Sequence, residues 1–116
     1  INQTKGTIDL PLIADIENRP YQKVDFKEGK KAVTTFQVID ENKNRSIVKF
    51  CPITGRTHQL RVHAAHPMGL NCAILGDRLY GTLPADRLYL HAQEIEIFSK
   101  QNKKMIFRSK KTFNDF

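Results

Sequence analysis

The ten residues Thr54 to His63, TGRTHQLRVH, bring two arginines, two histidines, a glutamine and two threonines together beside one glycine, close after an apolar run. Arginine presents a planar fork of N–H donors that grips a carboxylate or phosphate at two points, and it keeps its charge at any ordinary pH. Arg56 and Arg61 therefore suit the holding and orienting of an anion, not the transfer of a proton. The bland role for either is a solvated surface cation, but a surface helix seldom concentrates Arg, His and Gln in one turn without Lys or Glu. His58 titrates near neutrality, as a general base must. No serine or cysteine nucleophile stands in a recognisable motif beside it, so a structural histidine is the commoner outcome. His58, His63, His66 and His91 form no HExxH arrangement, neither cysteine lies at ligand spacing, and no acidic residue interrupts the histidine cluster, so no metal is expected. Asp77, in LGDRLYG, is placed to cap a turn or to pair with a nearby arginine. Lys103, Lys104, Lys110 and Lys111, with Arg108 close by, would make either a solubilising face or a set of phosphate contacts. Phosphate loops, dinucleotide fingerprints, EF-hands and zinc fingers are all missing from the sequence, which removes most cofactor-dependent enzymes; no cofactor is expected.

These side chains need a scaffold, and the pattern around them is mostly strands. Ala32 to Ile39, AVTTFQVI, is rich in β-branched and aromatic residues and puts Ala32, Thr34, Phe36 and Val38 on one face. The polar turn DENKNR leads to a second strand, Ser46 to Pro52, so an antiparallel hairpin is expected. Gly6 to Pro11 reads as a short strand stopped by proline, which suits an edge, and Glu17 to Lys30 reads as a charged loop. After Pro52, Leu60 with Ala64 and Val62 with Ala65 share faces at helical spacing, and Pro67 with Gly69 provides a stop. Strand alternation fits HQLRVH as well, so periodicity alone leaves this segment open. LYLHA, EIEIF and MIFR read as further strands, the last two joined by the turn SKQNKK. The expected class is α+β, a mainly antiparallel sheet with one short helix in the middle of the chain.

Composition narrows the function classes. A chain of 116 residues with 40% hydrophobic content makes one small domain with a modest core. Its 19 Lys and Arg against 12 Asp and Glu give a formal charge of +7 and a pI near 9.6, a balance that attracts phosphate backbones or anionic membranes. No apolar run approaches the roughly 20 residues that span a bilayer, and the start has no signal pattern. A soluble protein that does not enter membranes is expected. Cys51 and Cys72 are too far apart for a CxxC pair and too few for a disulfide framework, which fits reduced thiols in the cytoplasm.

The run PITGRTHQLRVHAA, Pro52 to Ala65, followed by ILGDRLYG, Ile74 to Gly81, and RLYLHA, Arg87 to Ala92, resembles the RluA-type RNA pseudouridine synthases in order and spacing. Three motifs in register are far more specific than any one of them. GTIDLPLIAD and GKKAVTTFQVI also resemble that family, in which a Gly-Lys-x-Ala-x-Thr strand precedes the TGR motif, so the resemblance covers nearly all of residues 6 to 98. It implies a mixed α+β fold with a central antiparallel sheet, an RNA-binding cleft, and isomerisation of uridine to pseudouridine in ribosomal or transfer RNA without cofactor or metal. In the family an Asp in an HRLD-type motif reacts with a flipped-out nucleotide, and a tyrosine of a later motif stacks on the base. Both lie upstream of the segment matching Gly6. No Asp here follows His-Arg-Leu, and Tyr21, Tyr80 and Tyr89 do not occupy the stacking motif.

The resemblance assigns Arg61 to the arginine that pairs with that Asp, holding it ionised and oriented. Arg56, Thr57, His58, Gln59 and His63 match positions expected at the site wall or against RNA, and Leu60 and Val62 match apolar positions that pack a helix. The chain opens on Ile1 rather than Met, and residues 1 to 116 are expected to be the C-terminal portion of a catalytic domain, inactive without the Asp-bearing segment. Open strand edges would then favour self-association. The competing expectation is a non-catalytic RNA-binding module that uses the same basic surface; a weaker one is an anion-binding structural domain.

Overall fold

The computed structural model describes residue 1, residues 3–92, and the backbone of strands at 94–98 and 104–108. In chain order the elements are β1 (Lys5–Asp9), β2 (Leu12–Ala14), a single 3-10 turn (Ile16–Asn18), β3 (Gln22–Val24), β4 (Val33–Glu41), β5 (Ser46–Pro52), α1 (Gln59–Ala65), β6 (Glu94–Phe98) and β7 (Lys104–Arg108). Among the described residues all strand pairs are antiparallel, in a sheet of order β1-β4-β5 and two hairpins, β2-β3 and β6-β7. The α+β class and the single short helix of the sequence pattern are both present.

Alternation along β4 builds the core. Ala32, Thr34 and Phe36 are buried on one face, while Gln37 and Ile39 point outward and are exposed. Phe36 packs with Ile8 and Leu10, flanked by Val24, Val48, Phe50 and Leu70. A second cluster joins Leu12 and Ala32 to Val62 of α1, with Val24 and Tyr80 against it. Burying side chains of this size from sheet and helix together stabilises by roughly 1.5–3 kcal/mol each, and the second cluster, through Val62, holds α1 where it lies against β3, β4 and β5.

Helix α1 starts inside the TGRTHQLR motif, at Gln59, and the chain enters it abruptly. His58 adopts a left-handed conformation (φ 55°) and supplies no side-chain cap. At the other end Pro67 and Gly69 stop the helix, and the following chain folds back to satisfy its last carbonyls: Leu70 N–H donates to His63 O and Cys72 N–H to Ala64 O. A Cβ at position 69 would overlap the His63 carbonyl, so the return requires glycine.

Two segments differ from the sequence pattern. Glu17 to Lys30 is not simply a charged loop, because Gln22–Val24 pairs with Leu12–Ala14, and Asp15 N–H and Asp25 N–H donate to Tyr21 O and Pro11 O. Non-local backbone pairing overrides a weak local propensity there. Leu88 to Ala92 forms no strand; Tyr89 N–H donates to Leu75 O of an irregular segment instead of joining a ladder. EIEIF and MIFR pair as expected. Of the lysines read as phosphate contacts, Lys103, Lys110 and Lys111 lie outside the described residues, and Lys104 is placed only as the first residue of β7. No helix among the described residues is long and apolar enough to cross a membrane.

Candidate active site

The base of the site is a buried polar network that fixes the start of α1. Gln59 is 4% exposed, and every polar end of its side chain is used. Its Oε1 accepts from Thr54 Oγ1 at 2.7 Å and from Arg56 N–H at 3.0 Å, while its Nε2 donates to Val33 O and to Thr34 Oγ1, both at 2.9 Å. Thr34 Oγ1 then donates to Nδ1 of His63 at 2.8 Å, and His63 Nε2–H donates to Leu10 O at 3.0 Å. The Leu10 carbonyl can only accept, so His63 Nε2 carries a proton; in the neutral ring Nδ1 is then the acceptor, and the Thr34 hydroxyl, which accepts from Gln59, donates to it. Burial lowers the His63 pKa, against the opposing pull of the Leu10 carbonyl, in keeping with that neutral form. Gln59 and His63 were expected at the site wall or against RNA. They lie beneath the site instead, with donors and acceptors committed to the protein interior.

Above this network Arg61, on the first turn of α1, reaches Asp77 in the loop that follows. Arg61 Nε donates to Asp77 Oδ2 at 3.0 Å and Nη2 donates to Oδ1 at 2.7 Å, a bidentate fork. The Asp77 side chain is 0% exposed and that of Arg61 is 19% exposed. Asp77 also caps its own turn, Oδ1 accepting from Leu79 N–H and Tyr80 N–H at 3.0 and 3.1 Å. Burial alone would raise the Asp77 pKa, but the Arg61 hydrogen bonds, the two amides and the Arg61 charge outweigh it and hold the carboxyl below its usual range. Arg61 in turn holds its proton more tightly, chiefly through the bond to Asp77. Both roles read for Asp77, turn cap and arginine partner, are therefore filled, with Arg61 as the arginine. Among the described residues, Arg61 Nη1 makes no hydrogen bond.

Tyr80 closes one side. Its ring lies 5.5 Å from the Arg61 guanidinium carbon, and it meets the rings of Tyr21 and His58 edge-on at 5.5 and 5.7 Å. The Tyr80 hydroxyl accepts from Gln22 N–H at 2.8 Å and lies 2.8 Å from Nδ1 of His58, to which its own proton can be donated. With Nδ1 accepting from Tyr80, His58 is the neutral Nε2–H tautomer; burial and the nearby Arg61 charge both favour the neutral ring by lowering its pKa, against the pull of Asp77. Burial raises the Tyr80 pKa, so the phenol stays protonated. Arg56 and Thr57 are exposed in the loop before α1, with Arg56 Nε donating to Lys31 O at 2.9 Å. The fold thus brings Arg61 and His58 together with two residues the motif did not single out for the site, Asp77 and Tyr80. The available signal was the spacing Asp-x-x-Tyr after glycine, in which an aspartate caps a turn and delivers the tyrosine three residues on.

The arrangement suits chemistry in which a fixed cation orients a negatively charged partner beside an aromatic wall. The sequence profile of the RNA pseudouridylate synthase family matches residues 1–66. The chain belongs to that family. Among curated relatives it is similar to the dual-specificity RNA pseudouridine synthase RluA of Vibrio cholerae serotype O1, 44% identical over 99 residues that make up 82% of this chain and 39% of the relative. It is similar also to the enzyme of the same name from Escherichia coli K12, 46% identical over 100 residues, 80% of this chain and 43% of the relative. The chain therefore spans about two-fifths of the length of these pseudouridine synthases. Its fold is shared with human RNA pseudouridylate synthase domain containing 4, at a TM-score of 0.69 and 23% identity, over 92% of this chain and 52% of that one.

Proposed function

We propose that the chain forms the C-terminal portion of the catalytic domain of a cytoplasmic pseudouridine synthase that isomerises uridine in ribosomal or transfer RNA. In this reading Arg61 orients the carboxylate of an aspartate carried by an HRLD-type segment outside these 116 residues. The observation that carries it is the Arg61 guanidinium, pinned along one edge by buried Asp77 and with no hydrogen bond at Nη1 among the described residues, in the motif that resembles the family's arginine motif. The reaction breaks the N1–C1′ bond, forms a C5–C1′ bond, and exchanges the hydrogen on C5 for one on N1, so nothing is consumed and no cofactor is required. The protein's share is to hold the flipped base and keep one carboxylate ionised and aimed. Arg61 and His58 supply fixed donors for this, and Tyr80 an apolar wall. Arg56 and Thr57, exposed on the loop before α1, are placed to meet RNA phosphate, as the charge of +7 favours.

The test uses the full-length product of the reading frame that contains this chain, given RNA carrying tritium at C5 of uridine. Release of tritium to water is expected. A full-length protein that binds RNA without releasing tritium is the non-catalytic RNA-binding module instead. The 116-residue chain on its own is expected to release none, for want of the reacting carboxylate. It is also expected to self-associate, because β1 and β5 are the two edges of the described sheet; a monomer by sedimentation at high concentration would refute that.

A further inference from the structure

Asp77 has no part in the scheme above beyond its bond to Arg61, yet its surroundings fix it more firmly than a surface ion pair needs. Its backbone N–H donates to Ile74 O at 3.0 Å and its carbonyl accepts from Gly81 N–H at 3.1 Å, so the residue is held by main chain on both sides. Gly76, immediately before it, has φ +81° and sits where a Cβ would overlap the Arg87 carbonyl. The carboxylate is fully enclosed and binds two amides of its own turn besides the guanidinium. A guanidinium has five N–H bonds. Asp77 takes the one on Nε and one on Nη2, which leaves the edge formed by Nη1 and the second hydrogen of Nη2. The Tyr80 ring stands 5.5 Å from the guanidinium carbon of the same group, and its hydroxyl is anchored by Gln22 and His58. Arg61 is thus held along its Nε–Nη2 edge, with an anchored ring beside it.

We infer that Asp77 is a positioning residue that acts through Arg61, taking its Nε–Nη2 edge so that the Nη1–Nη2 edge alone faces the carboxylate of the catalytic aspartate. This rests on the isomerase reading above. A long arginine with no second partner would sample many rotamers, and the reacting carboxylate would follow it. An arginine clamped by a buried anion offers one edge in one orientation. Displacing reacting groups by about 1 Å costs on the order of 100-fold in rate. The expected signature is therefore a loss in the chemical step with RNA affinity unchanged.

Asp77→Asn in the full-length protein separates this role from turn capping. Asparagine keeps an Oδ1 for the Leu79 and Tyr80 amides but sets an NH2 group against Arg61 Nε–H. Single-turnover tritium release should fall on the order of 100-fold, with RNA affinity unchanged. Added to Arg61→Met, the same change should cost nothing further, since two residues that act as one unit are not additive. A variant that keeps its rate, or one that repeats its full loss on the Arg61→Met background, overturns the inference. Should Asp77→Asn not fold, the wild-type protein decides: the Arg61 Nε–H resonance is expected to be protected from exchange with water, and exchange as fast as in an exposed arginine overturns the clamp. Wild-type protein that forms no pseudouridine defeats the isomerase reading and this inference together, whereas an active wild type with an unaffected Asp77→Asn defeats the inference alone.

Discussion

Thr34→Val removes one oxygen from the centre of the network that seats α1. Thr34 is completely buried, and its hydroxyl bridges the side chains of Gln59 and His63. Valine matches its volume, so no cavity opens, but one Gln59 N–H and His63 Nδ1 lose their partner. Neither side chain can escape by turning. Gln59 Nε2 is also bound to Val33 O, its Oε1 is bound to Thr54 and Arg56, and His63 Nε2–H is committed to Leu10 O. Each buried unsatisfied group costs about 1–3 kcal/mol, and the added apolar group returns about 0.8 kcal/mol. The net loss should be about 3 kcal/mol, a large share of the roughly 5–15 kcal/mol that holds a domain together. Urea unfolding followed by circular dichroism measures it. Thr34→Ser keeps both hydrogen bonds and should lose about 1 kcal/mol, the transfer value of one methyl group. A valine variant within about 0.5 kcal/mol of wild type, the ordinary range for surface changes, would refute the assignment of the network. So would serine and valine variants that lose equally.

Further outcomes follow from the same contacts. His63 is neutral when folded and has a lowered pKa, so below the unfolded value of about 6.5 the unfolded chain binds more protons than the native one. Its contribution is complete above that pH and is lost as pH falls toward the folded value, whereas that of Asp77 is lost only below about pH 4. Urea midpoints at pH 7.5 and 5.5 should differ for wild type, and His63→Gln should flatten the difference. Tyr80→Phe keeps the ring stack but deprives Gln22 N–H and His58 Nδ1 of their partner; a loss of about 1–2 kcal/mol and a mixture of His58 tautomers by ¹⁵N NMR are expected. Gly76→Ala forces a side chain into a left-handed backbone against the Arg87 carbonyl. It should cost about 2 kcal/mol or more in thermal unfolding.

The sheet was legible because its signals are local. Alternation through Ala32, Thr34, Phe36 and Val38 marks the buried face of β4, and Ser46 to Pro52 is the strand as observed. The motif likewise marked Arg61 as an anion holder. What stayed hidden depends on contacts between distant parts of the chain. Gln59 and His63 look like polar residues facing a ligand, but their partners, Thr34 and the Leu10 carbonyl, are 25 to 53 positions away and take them inside. Tyr80 joins the site through a turn whose geometry Asp77 sets, and no periodicity predicts a turn of that kind. The short strand Gln22–Val24 has too little apolar character to announce itself and exists because β2 lies beside it.

In the proposed reaction Arg61 is the group that aims a carboxylate. The direct measurement is single-turnover tritium release from C5-labelled uridine in RNA by the full-length protein and by its Arg61→Met variant, with RNA affinity determined alongside. Wild type should release tritium, and the variant should bind RNA as well while its rate falls on the order of 100-fold or more. An Arg61→Met protein that keeps the wild-type rate would contradict the account.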